Sequence, residues 1–272
     1  MQPAASPTSW FKLISSMLGL PQSPPTYYLS TPDFLCHPSG MNFAYYGPGM
    51  FRFPEEMMSV SEQVDAFESM IKAGTISHNN VTHSVALLAV SGTDYNRFNV
   101  SGFSSATDCI EKETTEIVAI TQRLQNLGVK KILVNNLQPL GCTPFRCRPT
   151  LYHECDEFGN VIAFVHNKKL KHKLPRNEGI LIVDMYTAFN NIIADHGPKL
   201  YKQFEEGRKP CCESYGPRFY CGEEHPHSGW LYSLCKEPSK RFFWDNAHPT
   251  HAGWEAVMKQ LEQPIKEFLG VV

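Results

Sequence analysis

An aspartate and a histidine stand three positions apart in the run WDNAHPT, residues 244–250. A tight turn at this spacing can bring the Asp245 carboxylate to one ring nitrogen of His248. That hydrogen bond would fix the imidazole tautomer and stabilise the imidazolium while the other ring nitrogen accepts a proton from a nucleophile. Two other interpretations fit the same residues: a surface turn capped by the aspartate, and a metal site completed by His251. The spacing alone favours the surface turn.

Two further segments could stabilise a developing negative charge. Gly47 follows a strand-like segment, and a glycine lets a substrate oxygen approach its backbone N–H closely, as an oxyanion hole requires. Thr93 lies in the run SGTD after an apolar segment, where its hydroxyl is a possible donor into the same crevice. On spacing alone Gly47 is more simply a turn glycine, and Asp94 could cap whatever follows it.

The elements that would position these residues alternate between strand and helix patterns. Strands are predicted at residues 41–45, 81–90, 131–137 and 179–184. Helices are predicted at residues 10–18, 55–72, 107–127, 160–174, 186–195 and 250–269. This alternation favours an α/β fold in which a parallel sheet lies between two helical layers. Ligands of such sheets bind outside the carboxyl ends of the strands, which is where the candidate residues fall.

Composition limits the classes of protein that fit. The 272 residues are 42% hydrophobic and 19% charged, which predicts one domain over residues 1–272. The formal net charge is −2 and the basic residues are scattered, so nucleic acid is not an expected partner. No apolar run of about 18 residues occurs, so stable membrane insertion is not expected either. Residues 1–9 lack the pattern of a signal peptide, which on its own would indicate the cytoplasm.

Nine cysteines point instead to an oxidising compartment. Seven of them lie in two regions of the chain: Cys142, Cys147, Cys155, Cys211, Cys212, Cys221 and Cys235. Disulfides are the favoured interpretation, with free thiols and zinc as alternatives, although no C-x2-C pair suggests zinc. Two glycosylation sequons, at residues 80–82 and 99–101, matter only if the chain is secreted.

The order of four motifs is more specific than any one of them. NFAYYG (residues 42–47), SGTDY (91–95), LQPLGCTP (137–144) and FWDNAHPT (243–250) follow one another. From about Trp10 to the carboxyl terminus, the chain resembles the plant GDSL esterase/lipase family, a branch of the SGNH hydrolases. The resemblance implies a three-layer α/β/α flavodoxin-like fold and a secreted protein. It also implies hydrolysis of a small carboxylic or lipid-like ester through a serine acyl-enzyme, without a metal or nucleotide cofactor.

The resemblance assigns roles position by position. Asp245 matches the triad aspartate of the family, His248 its general base and Gly47 its oxyanion glycine. Thr93 takes the place of the family's oxyanion asparagine. A threonine hydroxyl is shorter than an amide arm, and losing one such donor typically costs about 3 kcal/mol of transition-state stabilisation.

The family's nucleophile is not found in this sequence. It belongs to a first block, a strand leading into Gly-Asp-Ser, and no Gly-Asp-Ser occurs in the 272 residues. In the implied strand order 2-1-3-4-5, the missing first strand would lie between those near residues 41 and 85. Its neighbours would leave backbone groups unsatisfied at about 1–3 kcal/mol each, which predicts a marginally stable chain. The alternatives to an active esterase are a non-catalytic binding relative and an enzyme completed in trans by a fragment carrying the serine.

Overall fold

The structure is a computed structural model. It describes residues 10–27, 37–44, 49–51, 58–97, 103–174, 179–193, 203–204, 206–216, 219–225, 227 and 229–271. Nine helices occur in this part of the chain: α1 (Trp10–Met17), α2 (Val60–Lys72), α3 (His78–Thr82), α4 (Thr93–Arg97), α5 (Phe103–Asn126), α6 (Pro144–Cys147), α7 (Glu157–Lys173), α8 (Met185–Ile193) and α9 (His251–Leu269).

Three parallel strands form the central sheet of the described chain: β1 (Val85–Leu88), β2 (Lys131–Asn135) and β3 (Ile180–Val183). They lie side by side in chain order, with β2 in the middle. The last four residues of β2 are buried, as expected for a strand covered on both faces. The predicted strands at residues 131–137 and 179–184 are therefore confirmed, the one at residues 81–90 is confirmed in part, and so is the predicted α/β class.

The sheet separates two apolar clusters, which gives the three layers. Successive residues of a strand point to opposite faces. Ile132 and Val134 accordingly pack with residues of α2, α5 and α7, such as Ile117. Leu133 packs on the other face with residues of α1, α8 and α9, such as Val257. The predicted α/β/α arrangement is thus confirmed.

Two predicted strands differ from the structure. Residues 78–82, which overlap the predicted strand 81–90, are helix α3 because the Ser77 side chain accepts a hydrogen bond from the Asn80 backbone and starts a helical turn. The predicted strand at residues 41–45 is also wrong in its described part, because Asn42 forms only an isolated parallel bridge with Thr26. Within the described chain, β1 pairs only with β2 and is an edge of the sheet. The loss of an interior strand next to it remains a prediction.

Local signals account for the helix boundaries. Helix α2 begins at Val60 because Ser59 and Glu62 form a reciprocal capping box. Helix α7 begins earlier than predicted because Asp156 accepts a hydrogen bond from the Gly159 backbone at 3.0 Å. Helix α9 ends at Gly270, whose φ of 70° is readily adopted by glycine.

The region between α8 and α9 forms two short antiparallel pairs. Strand β4 (Cys212–Ser214) pairs with β7 (Tyr232–Leu234), and β5 (Glu224–His225) pairs with β6 (Gly229–Trp230). Three disulfides join Cys142 to Cys155, Cys211 to Cys235 and Cys212 to Cys221. Cys109 and Cys147 are buried free thiols, and Cys36 lies outside the described residues. Disulfides, the favoured interpretation of the cysteine clusters, are therefore present.

Candidate active site

Asp245 and His248 are in direct contact. The Nδ1 atom of His248 lies 2.9 Å from each carboxylate oxygen of Asp245. The histidine side chain is 53% exposed and the aspartate side chain 26%. Within the part of the chain that the structure describes, no residue hydrogen-bonds to Nε2, so that nitrogen can meet a substrate or nucleophile. This geometry fits an aspartate-supported general base better than a plain surface turn.

The aspartate is also held by the backbone of the same turn. Its Oδ1 accepts hydrogen bonds from the backbone nitrogens of Ala247, at 2.9 Å, and His248, at 2.8 Å. One carboxylate therefore accepts hydrogen bonds from the backbone of its own turn and also contacts the imidazole. The backbone contacts hold the carboxylate in place beside the ring.

Each member of the pair favours the charged form of the other. Burial alone would raise the pKa of the Asp245 carboxyl, but the hydrogen bond and charge of His248, with the two backbone donors, outweigh burial and lower it. The hydrogen bond to Asp245 raises the pKa of His248, against a smaller opposing effect of burial. A stabilised imidazolium is what a base needs after it has taken a proton.

Asp245 and His248, the dyad, lie in a narrow loop of residues 242–250 that is closed by backbone hydrogen bonds and is called the dyad loop. Trp244 donates to the His248 carbonyl at 2.7 Å, and Thr250 donates to the Phe242 carbonyl at 2.8 Å. The Thr250 hydroxyl accepts from the Gly253 backbone at 3.0 Å and caps α9. Any side chain at Gly253 would collide with the Phe242 carbonyl, 2.4 Å from an added Cβ. The start of α9 thus anchors one end of the dyad loop.

The metal interpretation gains no support from the neighbouring histidine. Nε2 of His251 lies 2.9 Å from Oε1 of Glu255, one turn along α9. Nδ1 of His248 faces Asp245 instead. No group of three or more acidic, histidine or cysteine side chains arranged to hold a metal ion occurs among the described residues.

The two predicted oxyanion residues have different outcomes. Gly47 lies outside the described residues. Thr93 is half-buried at the first position of α4, and its hydroxyl is 2.6 Å from that of Ser91. Thr93, Gly49 and Asp94 line a cavity of about 20 Å³, which suffices for a water-sized group and not for an acyl chain.

A buried acidic group behind Thr93 was not predicted. Asp94 is 2% exposed and does not cap α4. Its carboxylate accepts a 2.6 Å hydrogen bond from the Met50 backbone, far away in sequence. Burial and the nearby charge of Glu113 raise the pKa of Asp94 to about 6. The one sequence signal for a buried acidic group here was Glu113, which stands between Ile110 and Ile117 on the apolar face of α5.

Tyr95 and His166 form a buried polar contact close to Asp94. The Tyr95 hydroxyl is 2.7 Å from Nδ1 of His166, which is itself 3.4 Å from Oε2 of Glu113. His166 and Glu113 are both fully buried. The segment after β1 is thereby tied through polar contacts to α5 and α7, which fixes the position of Thr93 in the sequence SGTDY.

Comparison with known proteins shows the family of the chain. An aspartate-supported histidine on an α/β fold is the acid–base pair of serine hydrolases. The family profile described as GDSL-like lipase/acylhydrolase matches residues 14–261. The chain therefore belongs to the GDSL-like lipase/acylhydrolase family.

Three relatives come from Arabidopsis thaliana. GDSL esterase/lipase At5g03610 is 33% identical over 236 residues, covering 83% of this chain and 66% of the relative. GDSL esterase/lipase At3g09930 is 30% identical, with 84% and 67% covered, and GDSL esterase/lipase At2g36325 is 31% identical, with 82% and 64% covered. The chain matches about two thirds of the length of these relatives.

Proposed function

We propose that these residues carry the acid–base half of a serine ester hydrolase. The observation that carries the proposal is the contact of His248 Nδ1 with both carboxylate oxygens of Asp245, at 2.9 Å each, while no described residue hydrogen-bonds to Nε2. Nε2 takes the proton of a serine hydroxyl as it attacks the ester carbonyl. Asp245 stabilises the resulting imidazolium, which then gives the proton to the leaving alcohol.

Two donors are assigned to the oxyanion of the tetrahedral intermediate. They are the backbone N–H of Gly47 and the hydroxyl of Thr93, both chosen from their places in the family motifs. The contacts of Ser91 with Thr93 and of Asp94 with Met50 support a fixed position for the threonine. Because a hydroxyl reaches less far than an amide, we expect Thr93 to stabilise the oxyanion less than the family's asparagine would.

The nucleophile is proposed to come from outside the 272 residues. No Gly-Asp-Ser occurs in them, and the base and its aspartate have nothing to activate without a serine. We therefore propose that turnover requires a strand and Gly-Asp-Ser segment supplied to this chain. The competing possibility, a protein that binds esters without turnover, is favoured by the same absence and makes a different prediction.

The proposed substrate is a carboxylic or lipid-like ester of small size. This proposal rests on the family and on the names esterase and lipase borne by its relatives. Three disulfides support a secreted protein, since such bonds persist in oxidising compartments. No helix of the described chain has the length and apolar character of a membrane span.

The first experiment measures hydrolysis of p-nitrophenyl butyrate by the 272-residue chain and by its His248→Ala variant. We expect equal, background rates, because the variant removes a base that has no nucleophile. A rate that drops on removal of His248 would contradict the proposal that the serine lies elsewhere. In parallel, calorimetric binding of a non-hydrolysable ester analogue tests the alternative, which expects binding that His248→Ala leaves unchanged.

A further inference from the structure

Two adjacent cysteines flank the dyad loop: Cys211 directly precedes the short strand β4, and Cys212 is its first residue. The backbone nitrogen of Cys211 donates to the Phe243 carbonyl at 2.9 Å, and that of Cys212 donates to the Trp244 carbonyl at 2.6 Å. Trp244 directly precedes Asp245. Two backbone hydrogen bonds therefore join Cys211 and Cys212 to the residues that lead into the dyad.

Both adjacent cysteines are buried and cross-linked, in different directions. Cys211, 2% exposed, is bonded to Cys235 just beyond β7, and Cys212, 1% exposed, is bonded to Cys221. The Cys235 backbone also donates to the Cys211 carbonyl at 2.7 Å. Two consecutive residues at the start of β4, Cys211 and Cys212, are thus bonded to two different parts of the region between α8 and α9.

The strand pairing around β4 is short. The β4–β7 ladder joins only three residues to three, and a two-stranded pair of this size is marginally stable in water. The cross-links shorten the loops that must close before the ladder can form, which lowers the entropic cost of ordering it.

The opposite side of the dyad loop contacts residues 142–155, the segment closed by the Cys142–Cys155 disulfide. The Phe145 backbone donates to the Asn246 carbonyl at 2.9 Å, and Phe145 lies within the loop closed by the Cys142–Cys155 bond. The two segments also hold each other: the Tyr152 hydroxyl donates to Glu213 at 2.6 Å, and Arg148 donates to the Ser214 carbonyl at 2.7 Å. The dyad loop therefore lies between two disulfide-closed segments, residues 142–155 and 212–221.

We propose that the Cys211–Cys235 and Cys212–Cys221 bonds are positioning elements of the Asp245–His248 dyad. They hold β4 against residues 243–244 and so keep the Asp245 carboxylate against the imidazole. None of the four sulfur atoms takes part in proton transfer. The functional meaning of this role rests on the proposed function, but its test needs no turnover.

The experiment measures the pKa of His248 by NMR titration of its ring proton, assigned by comparison with His248→Gln. Asp245→Asn gives the value without the dyad. In Cys211→Ser/Cys235→Ser and in Cys212→Ser/Cys221→Ser, we expect the pKa of His248 to fall at least halfway from the wild-type value towards that of Asp245→Asn. The matched control is Ile117→Ala, a core change on the far face of the sheet, which should leave this pKa unchanged.

An unchanged pKa of His248 in both folded double variants would overturn the proposal, and so would an equal fall in the Ile117→Ala control. If a double variant does not fold, native-state hydrogen exchange of the unaltered chain decides. We expect the amides of Cys212 and His248 to exchange through one shared opening, with the same denaturant dependence. Separate openings would overturn the proposal. Failure of ester hydrolysis would leave both readouts unaffected, so the two proposals fail independently.

Discussion

The carboxylate of Asp94 lies 2.6 Å from the backbone nitrogen of Met50, and this contact joins the segment that follows β1 to residues 49–51. The acid is buried and faces Glu113, which raises its pKa to about 6. Its proton uptake is therefore linked to folding. This contact joins the SGTDY segment to residues that closely follow the NFAYYG segment along the chain.

Replacing this acid should change how stability depends on pH. The pKa of Asp94 is higher in the folded chain than the ordinary value of 3.8, so the folded state binds the proton more tightly and stability falls as pH rises between those values. From about pH 4 to about pH 6 we expect the unfolding free energy to fall by roughly 2 kcal/mol because of this group. Asp94→Asn should remove that slope while keeping an acceptor for Met50.

Urea unfolding at several pH values measures this effect. Asp108→Asn is a suitable control, because Asp108 is an exposed aspartate on α5. It should leave the slope as in the unaltered chain. If Asp94→Asn retains the full pH dependence, Asp94 is not the group responsible.

The dyad should stabilise the fold weakly and only within a pH window. The pKa of His248 is raised, so its contribution is present below the unfolded value of 6.5 and lost as pH rises through the folded value. The pKa of Asp245 is lowered, so its contribution is present above the unfolded value of 3.8 and lost as pH falls through the folded value. A double-mutant cycle of Asp245→Asn and His248→Gln should give a coupling below about 1 kcal/mol near pH 5.5, because the imidazole is half exposed. A coupling that is larger at pH 9 would contradict this assignment.

A methyl group at Gly253 should disturb the anchor of the dyad loop. An added Cβ would lie 2.4 Å from the Phe242 carbonyl oxygen and 3.0 Å from the Pro249 side chain. We expect Gly253→Ala to lower the unfolding free energy by about 1–3 kcal/mol, measured by denaturant titration. Gly207→Ala, where the nearest atom would be 3.7 Å away, should be close to neutral. Equal effects of the two substitutions would show that the close contact is relieved without cost.

The chain should gain stability when a strand is supplied to the open edge of β1. Strand β1 is an edge of the described sheet, whereas the family fold implies a neighbour on its open side. We expect a broad thermal transition for the chain alone, and a higher, sharper one with a peptide carrying the first strand of a family member. A scrambled peptide of equal composition is the control. A single sharp transition without any peptide, unchanged by adding it, would contradict the prediction of a missing interior strand.

The sequence predicted what local patterns determine. The apolar runs around Leu133 and Ile182 gave the parallel strands, and the short spacing of Asp245 and His248 allowed their contact to be anticipated. It did not predict contacts between distant segments, such as those of Asp94 with Met50 and Cys212 with Trp244, because loop conformation decides them. The pairing of Cys142 with Cys155 rather than with the nearer Cys147 belongs to the same group.

Mixing the chain with the proposed serine segment shows whether Asp245 and His248 can support ester hydrolysis. The chain is mixed with a peptide containing the strand and Gly-Asp-Ser segment of a family member, and hydrolysis of p-nitrophenyl butyrate is followed. We expect a rate that appears only in the mixture and is lost both in His248→Ala and when the peptide serine is replaced by alanine. A mixture at micromolar concentrations that stays at background, although the peptide is bound, would contradict the claim that Asp245 and His248 are the acid–base half of an ester hydrolase.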